Sequence, residues 1–215
     1  MIAAAGSGER LGAGGPKAFV ELGGRPLLDW SLDAFREAAL IKEIVVAVPP
    51  GEEGPVAERG VVAVAGGVHR SESVARAVEL CGEEIVVVHD AARPLVTPAL
   101  INAVVDRLAA DEEAAGAIAA APVTDTIKEA GEDGLVQRTL DRAGLWAVQT
   151  PQAFRAEALR EALSDPDSLP EATDDAMLLE RGGGRVLIHP APAENIKVTT
   201  PTDLHVAELL LRERA

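Results

Sequence analysis

No tyrosine occurs in the 215 residues, and three phenylalanines and two tryptophans supply all the aromatic surface. A core must then be filled by small aliphatic side chains, here mostly Ala, Val and Leu, which favours buried parallel strands covered by helices. Cys81 is the single cysteine, which excludes an intramolecular disulfide and a multi-cysteine metal site. With Val78 and Leu80 nearby, its thiol reads as buried and structural. There is no apolar run long enough to span a bilayer, and no basic leader ending in a small-residue cleavage site; a soluble cytoplasmic protein is expected. Cations are scarce: 20 Lys and Arg stand against 35 Asp and Glu, a formal net charge of −15. That balance argues against nucleic-acid binding and against an anionic membrane surface. An acidic protein that takes a polyanion must gather its few cations in one cleft, and a divalent cation would help offset the repulsion.

What is present is organised around the amino-terminal stretch Ile2-Ala3-Ala4-Ala5-Gly6-Ser7-Gly8-Glu9-Arg10-Leu11-Gly12-Ala13-Gly14-Gly15-Pro16-Lys17. A short apolar run enters a glycine-rich loop. Gly6 and Gly8 let the backbone turn sharply and lie close to a ligand, and a run of free N–H groups there makes an anion-binding concavity. Arg10 adds a flat fork of donors and Lys17 a mobile point charge. The ligand that fits is a polyphosphate. The loop lacks the closing Gly-Lys-Ser/Thr of a P-loop, and Leu11 breaks the dinucleotide fingerprint Gly-x-Gly-x-x-Gly. Taken alone, it could also be a flexible turn with two solvated cations. Only Met1 to Ala5 precede the loop, so either the first strand is short or the true start lies upstream.

Apolar runs at Ile2–Ala5, Ile44–Val48, Val61–Val64, Ile85–His89, Ala117–Ala121, Ala147–Gln149 and Val186–His189 read as strands. They alternate with helical patterns at Leu27–Ala38, Ser73–Cys81, Pro98–Ala110, Arg155–Ser164, Asp174–Arg181 and Pro201–Arg214. Thr97 and Thr200, each followed by a proline, read as helix N-caps. The alternation predicts an α/β fold, a three-layer sandwich around a Rossmann-like, mostly parallel sheet, as one domain over residues 1–215. Ligands in such folds bind at the carboxyl ends of the strands. One segment breaks the pattern: Pro122–Lys128 and Leu135–Leu140 flank an Ala-Gly-Glu-Asp-Gly turn and read as a hairpin arm over about 122–142. With little apolar content of its own, it must lean on something else, its own core or a second subunit.

Several clusters are candidates for chemistry. His89-Asp90-Ala91-Ala92-Arg93-Pro94 follows an apolar strand; Asp90 is placed to face a metal or a substrate hydroxyl, and Arg93 to grip a phosphate, unless the two merely pair and order a turn. His89 reads as a structural residue at the strand end. Gly66-Gly67-Val68-His69-Arg70-Ser71-Glu72-Ser73 enters a helix; its glycines allow close approach to a base or ribose and Ser73 can offer a hydroxyl, or it is a plain turn capped by Ser71. Asp141-Arg142 and Gln149-Thr150-Pro151-Gln152 place a cation and a hydroxyl after the hairpin. Lys197, in the apolar run Asn195-Ile196-Lys197-Val198-Thr199, is costly to desolvate without an anion; otherwise it snorkels from an edge strand. Thr173-Asp174-Asp175 reads as a capped helix start.

Together these runs, with Ala4-Ala5-Gly6, Ala121-Pro122-Val123 and Asp125-Thr126-Ile127-Lys128, resemble the 2-C-methyl-D-erythritol 4-phosphate cytidylyltransferases of the non-mevalonate isoprenoid pathway. The resemblance runs in order along essentially the whole chain. His-Asp-Ala-Ala-Arg-Pro and Asn-Ile-Lys-Val-Thr are its most discriminating parts; the glycine loop is shared with many nucleotidyltransferases. It implies the nucleotide-diphospho-sugar transferase type of fold, CTP and a polyol phosphate as substrates, Mg²⁺, release of pyrophosphate, and a homodimer whose arm reaches the partner's site. By the same resemblance Arg10 and Lys17 stabilise the transition state, and Arg142 and Lys197 position the acceptor phosphate. Asp90, Arg93, Thr126 and Thr150 contact the acceptor, with Thr126 and Arg142 coming from the partner chain. Ala4, Ala5, Gly6, Gly8, Gly67, Ser73 and Ala91 contact the nucleotide. Val68 departs from the better-known members, which carry an acid there; a backbone contact to cytosine would survive this, a side-chain contact would not.

The chemistry fits independently. A phosphate monoester is an anionic nucleophile at neutral pH and needs no general base; the difficulty is to bring two polyanions together, which is mostly positioning and electrostatics. Two alternatives remain: a pentitol-phosphate cytidylyltransferase acting on ribitol 5-phosphate, and a nucleotide-binding protein without turnover.

Overall fold

The aliphatic runs pair into one buried sheet. The computed structural model describes residues 1–8, 11, 15–164 and 174–214. Its strands are β1 (Ile2–Ala3), β2 (Glu21–Leu22), β3 (Arg25–Pro26), β4 (Val45–Val48), β5 (Val62–Ala65), β6 (Ile85–Asp90), β7 (Ala114–Pro122), β8 (Lys128–Ala130), β9 (Val136–Thr139), β10 (Trp146–Arg155) and β11 (Arg185–Pro190). Its helices are α1 (Leu27–Glu37), α2 (Glu53–Ala57), α3 (Arg70–Val78), α4 (Pro98–Ala109), α5 (Ala156–Leu163), α6 (Asp175–Arg181) and α7 (Pro201–Arg214). Seven strands form the main sheet in the order β11-β7-β10-β6-β1-β4-β5. β10 is antiparallel to both of its neighbours, and every other pairing in this sheet is parallel. β1 is short yet central: Ile2 pairs with Val46 on one side and His89 on the other.

Because side chains alternate across a strand, each strand feeds two cores. Ile2, Val46, Val48 and Val87 pack with Leu28, Leu32 and Phe35 of α1 and Ile101, Val104 and Leu108 of α4. Met1, Val45, Ala47, Val86 and Val88 pack with Val74 and Val78 of α3, Leu159 and Leu163 of α5, and Leu178 and Leu179 of α6. This is the expected three-layer α/β sandwich. A third cluster, with Leu22, Leu27, Leu95, Val198 and Ala207, seats α7 beside the β2–β3 ribbon. Among the described residues no helix is long and apolar enough to cross a membrane.

The predicted caps are present: Thr97 accepts from the Leu100 N–H at 3.2 Å, and Thr200 from the Asp203 N–H at 3.2 Å. Three expectations are corrected. β10 runs from Trp146 to Arg155, well beyond Ala147–Gln149, and takes the polar Gln149–Gln152 run inside it at a register shift between Val148 and Gln152. α3 begins at Arg70, three residues before the predicted Ser73, so Ser71 lies inside the first turn and is no N-cap. Two side chains of that turn cap the preceding loop instead: Ser73 Oγ accepts from Gly67 N–H at 3.0 Å and Glu72 from Val68 N–H at 2.9 Å. Cys81 is half-buried, donating to the Ala77 carbonyl at 3.4 Å.

The arm is a two-stranded ribbon, β8 against β9, with Lys128 opposite Thr139. Its outer turn exposes Leu135 and Val136 at 68% and 60%.

Phe154 is fully buried and lies so close to Gly116 that a Cβ there would come within 2.6 Å of its ring. Phe154→Ala should therefore cost about 3–5 kcal/mol, read as a lower urea midpoint. Gly116→Ala should destabilise by about 1–3 kcal/mol through overpacking, with the loss reduced in a Phe154→Leu background.

Candidate active site

The loop after β1 closes on itself. Lys17 N–H donates to the Gly6 carbonyl at 3.1 Å and Leu11 N–H to the Gly8 carbonyl at 2.9 Å. Gly8 has φ of 74°, and a Cβ on it would lie 3.0 Å from Lys17 Cβ, so glycine is what allows the lysine stem to press against the loop. Arg10 lies outside the described residues, as does Thr173 of the predicted α6 cap. Facing this loop is the one after β5. A Cβ on Gly66 would fall 2.4 Å from Ala5 Cβ, and one on Gly67 2.4 Å from Glu72 Cβ. Gly66 is thus needed to let the two loops approach, and Gly67 to let Glu72 of α3 fold back over its own loop. Between them lies a cleft of about 600 Å³, lined by Ala4, Ala5, Gly6, Gly8, Lys17, Gly67, Val68, Ser73, Asp90, Lys197 and Thr199, among others. Val68 is 90% exposed there. Ala91 is buried, its N–H donating to the Ala3 carbonyl at 3.0 Å; Ala92 lines the cleft in its place. The Ser73 hydroxyl is engaged, accepting from Gly67 N–H and donating to the His69 carbonyl at 3.2 Å.

A second cavity of about 490 Å³ adjoins the first and shares Arg70, Asp90 and Lys197 with it. Its further walls include Arg93, Thr150, Gln152 and Asp174. The three shared residues form an ion cluster. Asp90 Oδ1 accepts from Arg70 Nε at 2.8 Å and Oδ2 lies 2.7 Å from Lys197 Nζ. Arg70 also reaches Asp175 Oδ2 from Nη1 at 2.8 Å. Burial alone would raise the pKa of Asp90, but Arg70 and Lys197 outweigh it and hold the carboxyl well below the usual carboxylate range. Asp175, fully buried, is pushed up by desolvation, which Arg70 only partly offsets. Lys197 thus has an anion partner although its side chain is 41% exposed, so the pairing, and not desolvation by the apolar run, is what the structure shows. The Val198 N–H, donating to the Ala92 carbonyl at 2.8 Å, ties its loop to the one after β6.

His89, Thr150 and Arg93 hold the walls. A backbone carbonyl can only accept, so the contact of His89 Nε2 with the Arg93 carbonyl at 3.2 Å puts the ring proton on Nε2. Burial, the largest influence, lowers the His89 pKa to about 3, and the Arg93 charge adds to it. The ring is therefore neutral and Nδ1 accepts from the Thr150 hydroxyl at 3.0 Å. That hydroxyl in turn accepts from Asp90 N–H at 3.1 Å. Thr150 lines the second cavity, but its proton is committed to His89. Arg93 donates to the carbonyls of Asn195 at 2.8 Å and Val148 at 3.3 Å, while its buried Nε has no partner. Its primary hold is on the protein.

Thr126 and Arg142 are exposed residues at the base of the arm and line neither cavity; the Arg142 guanidinium donates to the Thr124 carbonyl. Within one chain the structure does not bring them to Lys17, Arg93 and Lys197. Among the described residues no three His, Cys, Asp or Glu side chains cluster to hold a metal. Asp90 is a poor metal ligand because two cations already flank its two oxygens.

Sequence reasoning missed Arg70 and Asp175. The first carried no local signal, because the sequence pattern starts α3 at Ser73 and leaves Arg70 in the turn before it; only the observed start at Arg70 sets this cation against the helix dipole.

His89 sets a pH dependence. Its folded pKa lies below its unfolded value of about 6.5, so the unfolded chain binds the extra proton and stability falls as pH drops from about 6.5 toward 3. Urea unfolding between pH 6.5 and 4.5 should show His89→Gln losing up to about 1.4 kcal/mol less per pH unit than the wild type.

With this geometry in view, comparison with known proteins is decisive. Residues 1–213 match the family model of 2-C-methyl-D-erythritol 4-phosphate cytidylyltransferase. The enzyme of that name from Rubrobacter xylanophilus is 45% identical over 226 residues, covering 100% of this chain and 94% of its own length. That from Deinococcus radiodurans is 46% identical over 213 residues, covering 98% and 88%. The crystal structure of the Thermus thermophilus enzyme superposes with a TM-score of 0.80 at 37% identity, covering 99% of this chain and 98% of its own. The chain belongs to the 2-C-methyl-D-erythritol 4-phosphate cytidylyltransferase family.

Proposed function

We infer that this chain transfers the cytidylyl group of CTP to 2-C-methyl-D-erythritol 4-phosphate, in the supply of isoprenoid precursors. The observation that carries the reading is the pair of adjoining cavities with Arg70, Asp90 and Lys197 in their common wall. The first takes the nucleotide: the backbone of Ala4, Ala5, Gly6, Gly8 and Gly67 offers polar groups, and Lys17 supplies charge beside the phosphates. The second takes the polyol phosphate. Asp90 accepts from its hydroxyls, since each carboxylate oxygen keeps a free lone-pair site after meeting its cation. Lys197, in the shared wall, stands where the two anions meet.

An oxygen of the acceptor phosphate attacks the α-phosphorus of CTP; that P–O bond forms as the bond to the departing pyrophosphate breaks. No proton need be removed. Charge accumulates on the α-phosphoryl oxygens and on pyrophosphate, and fixed cations stabilise it most where water is excluded. By family resemblance Arg10 joins Lys17 in this role. Ser73 acts by fixing Gly67, and with Val68 apolar, base recognition rests on backbone groups. Mg²⁺ enters as the CTP complex, because the described residues offer it no site of their own and Mg²⁺ commonly travels on phosphates. Thr126 and Arg142 act across a homodimer, which would also cover the exposed Leu135 and Val136. The single cysteine and the charged, water-soluble substrates fit the cytoplasm.

Pyrophosphate release should be fast with CTP, Mg²⁺ and 2-C-methyl-D-erythritol 4-phosphate and slow with ribitol 5-phosphate; tight CTP binding with no release from either would favour a non-catalytic role. Lys17→Ala should lower kcat/KM on the order of a hundredfold or more. Arg142→Ala should raise KM for the acceptor more than for CTP. Mixing these two impaired variants and allowing subunit exchange should restore activity, since the mixed dimer holds one intact site; no recovery in a proven mixed dimer contradicts an arm that works across the interface.

A further inference from the structure

Asp175 is a charged residue that no substrate can reach. It is 1% exposed, sits at the start of α6, and among the described residues meets the site through Arg70. Its other oxygen, Oδ1, has no hydrogen-bond partner. A carboxylate held in this way is expensive to keep, and nothing in the packing of α6 requires it: its neighbours Ala176, Leu178 and Leu179 fill the core beneath the helix, and Asp174 supplies the N-cap, accepting from Met177 N–H at 3.0 Å.

What Asp175 does is fix a long side chain. Arg70 could turn its guanidinium toward either cavity, both of which it lines. Two carboxylates on separate elements prevent this. Asp90 accepts from Nε at 2.8 Å and Asp175 accepts from Nη1 at 2.8 Å, so the planar fork is pinned from both sides. Burial alone would weaken the hold of Arg70 on its proton; Asp175 and Asp90 more than reverse that. With Arg70 pinned, Asp90 is gripped through Oδ1 by a fixed guanidinium and through Oδ2 by Lys197. Its remaining acceptor sites, in the wall that the two cavities share, are then held in one orientation.

We propose that Asp175 is a positioning residue for the acceptor: it anchors Arg70, which orients Asp90 toward the hydroxyls of the polyol phosphate and is itself kept from competing for the acceptor's phosphate. The inference rests on the reading of Asp90 as an acceptor-binding group. The glycine loop and Lys17 hold the nucleotide from the side of its cavity away from the shared wall, and Asp90 is the group that Asp175 orients, so removal of Asp175 acts chiefly on the acceptor.

The test is steady-state kinetics of Asp175→Asn, which keeps shape and removes charge, together with Arg70→Lys, which keeps charge and removes the fork. Each should raise KM for 2-C-methyl-D-erythritol 4-phosphate on the order of tenfold while KM for CTP stays within about threefold, and the double variant should be little worse than either single one. Melting temperatures separate this from general damage, which would move both KM values together. An acceptor KM within about twofold of wild type in a folded Asp175→Asn, or parallel rises in both KM values, overturns the inference. If Asp175→Asn does not fold, an unaffected acceptor KM in Arg70→Lys overturns it equally. A wild-type chain that releases no pyrophosphate with any polyol phosphate removes the functional reading and this inference with it; an active wild type with an indifferent Asp175→Asn removes this inference alone.

Discussion

The site depends on one carboxylate held between two cations. Asp90 ends a buried strand, where its charge alone would be unfavourable, and Arg70 and Lys197 make the charged form the stable one. The consequence is geometric as well as electrostatic. Asp90 belongs to the end of β6, Arg70 to the start of α3 and Lys197 to the segment after β11, so one ion cluster ties three chain segments together at the carboxyl ends of the strands. In a molecule with a net charge of −15, this is also how cations are kept where polyanions must meet. An internal anion holds them there before any substrate arrives, and it is sized to leave the pocket cationic once Lys17 is added.

The reversed strand completes the walls. Because β10 runs against β6, with Gln152 opposite Val88, residues 149–151 lie beside the end of β6 and not at the far side of the sheet. The register shift there turns Thr150 inward to meet His89 and Asp90 N–H. Asn195 then bridges the next layer, donating to Gln149 Oε1 at 2.8 Å and the Thr150 carbonyl at 2.9 Å. The polar residues around the second cavity are thus mostly spent on one another, which makes a rigid frame for a small, hydroxyl-rich ligand.

Much of this was legible in the chain. Continuous Ala and Val runs signalled strands buried on both faces, threonine-proline pairs marked two helix starts, and a lysine in an apolar run marked a position that has an anion partner. Ala91 shows the limit: at the end of β6 a shift of one residue exchanges the face that is buried for the face that is open, and Ala92 took the lining position. Arg70 and Asp175 were harder still, because they are 105 residues apart, and Arg70 reads locally as part of a turn and Asp175 as an ordinary helix start. Thr150 was identified as a site residue, but its partner His89 is fixed only when β10 folds back on β6. The two-residue strands β2 and β3 carry no periodicity long enough to detect.

The central claim is that the cations at residues 17, 70, 93 and 197 serve one nucleotide-and-acceptor pocket at the carboxyl end of the sheet. Backbone amide chemical shifts recorded while the full chain is titrated with MgCTP measure this most directly. The account predicts that the largest changes fall at 4–8, 66–73, 90–93 and 197–199. Changes centred instead on the cavity at the opposite end of the sheet, around Phe35, Cys81 and Ile85, would contradict it.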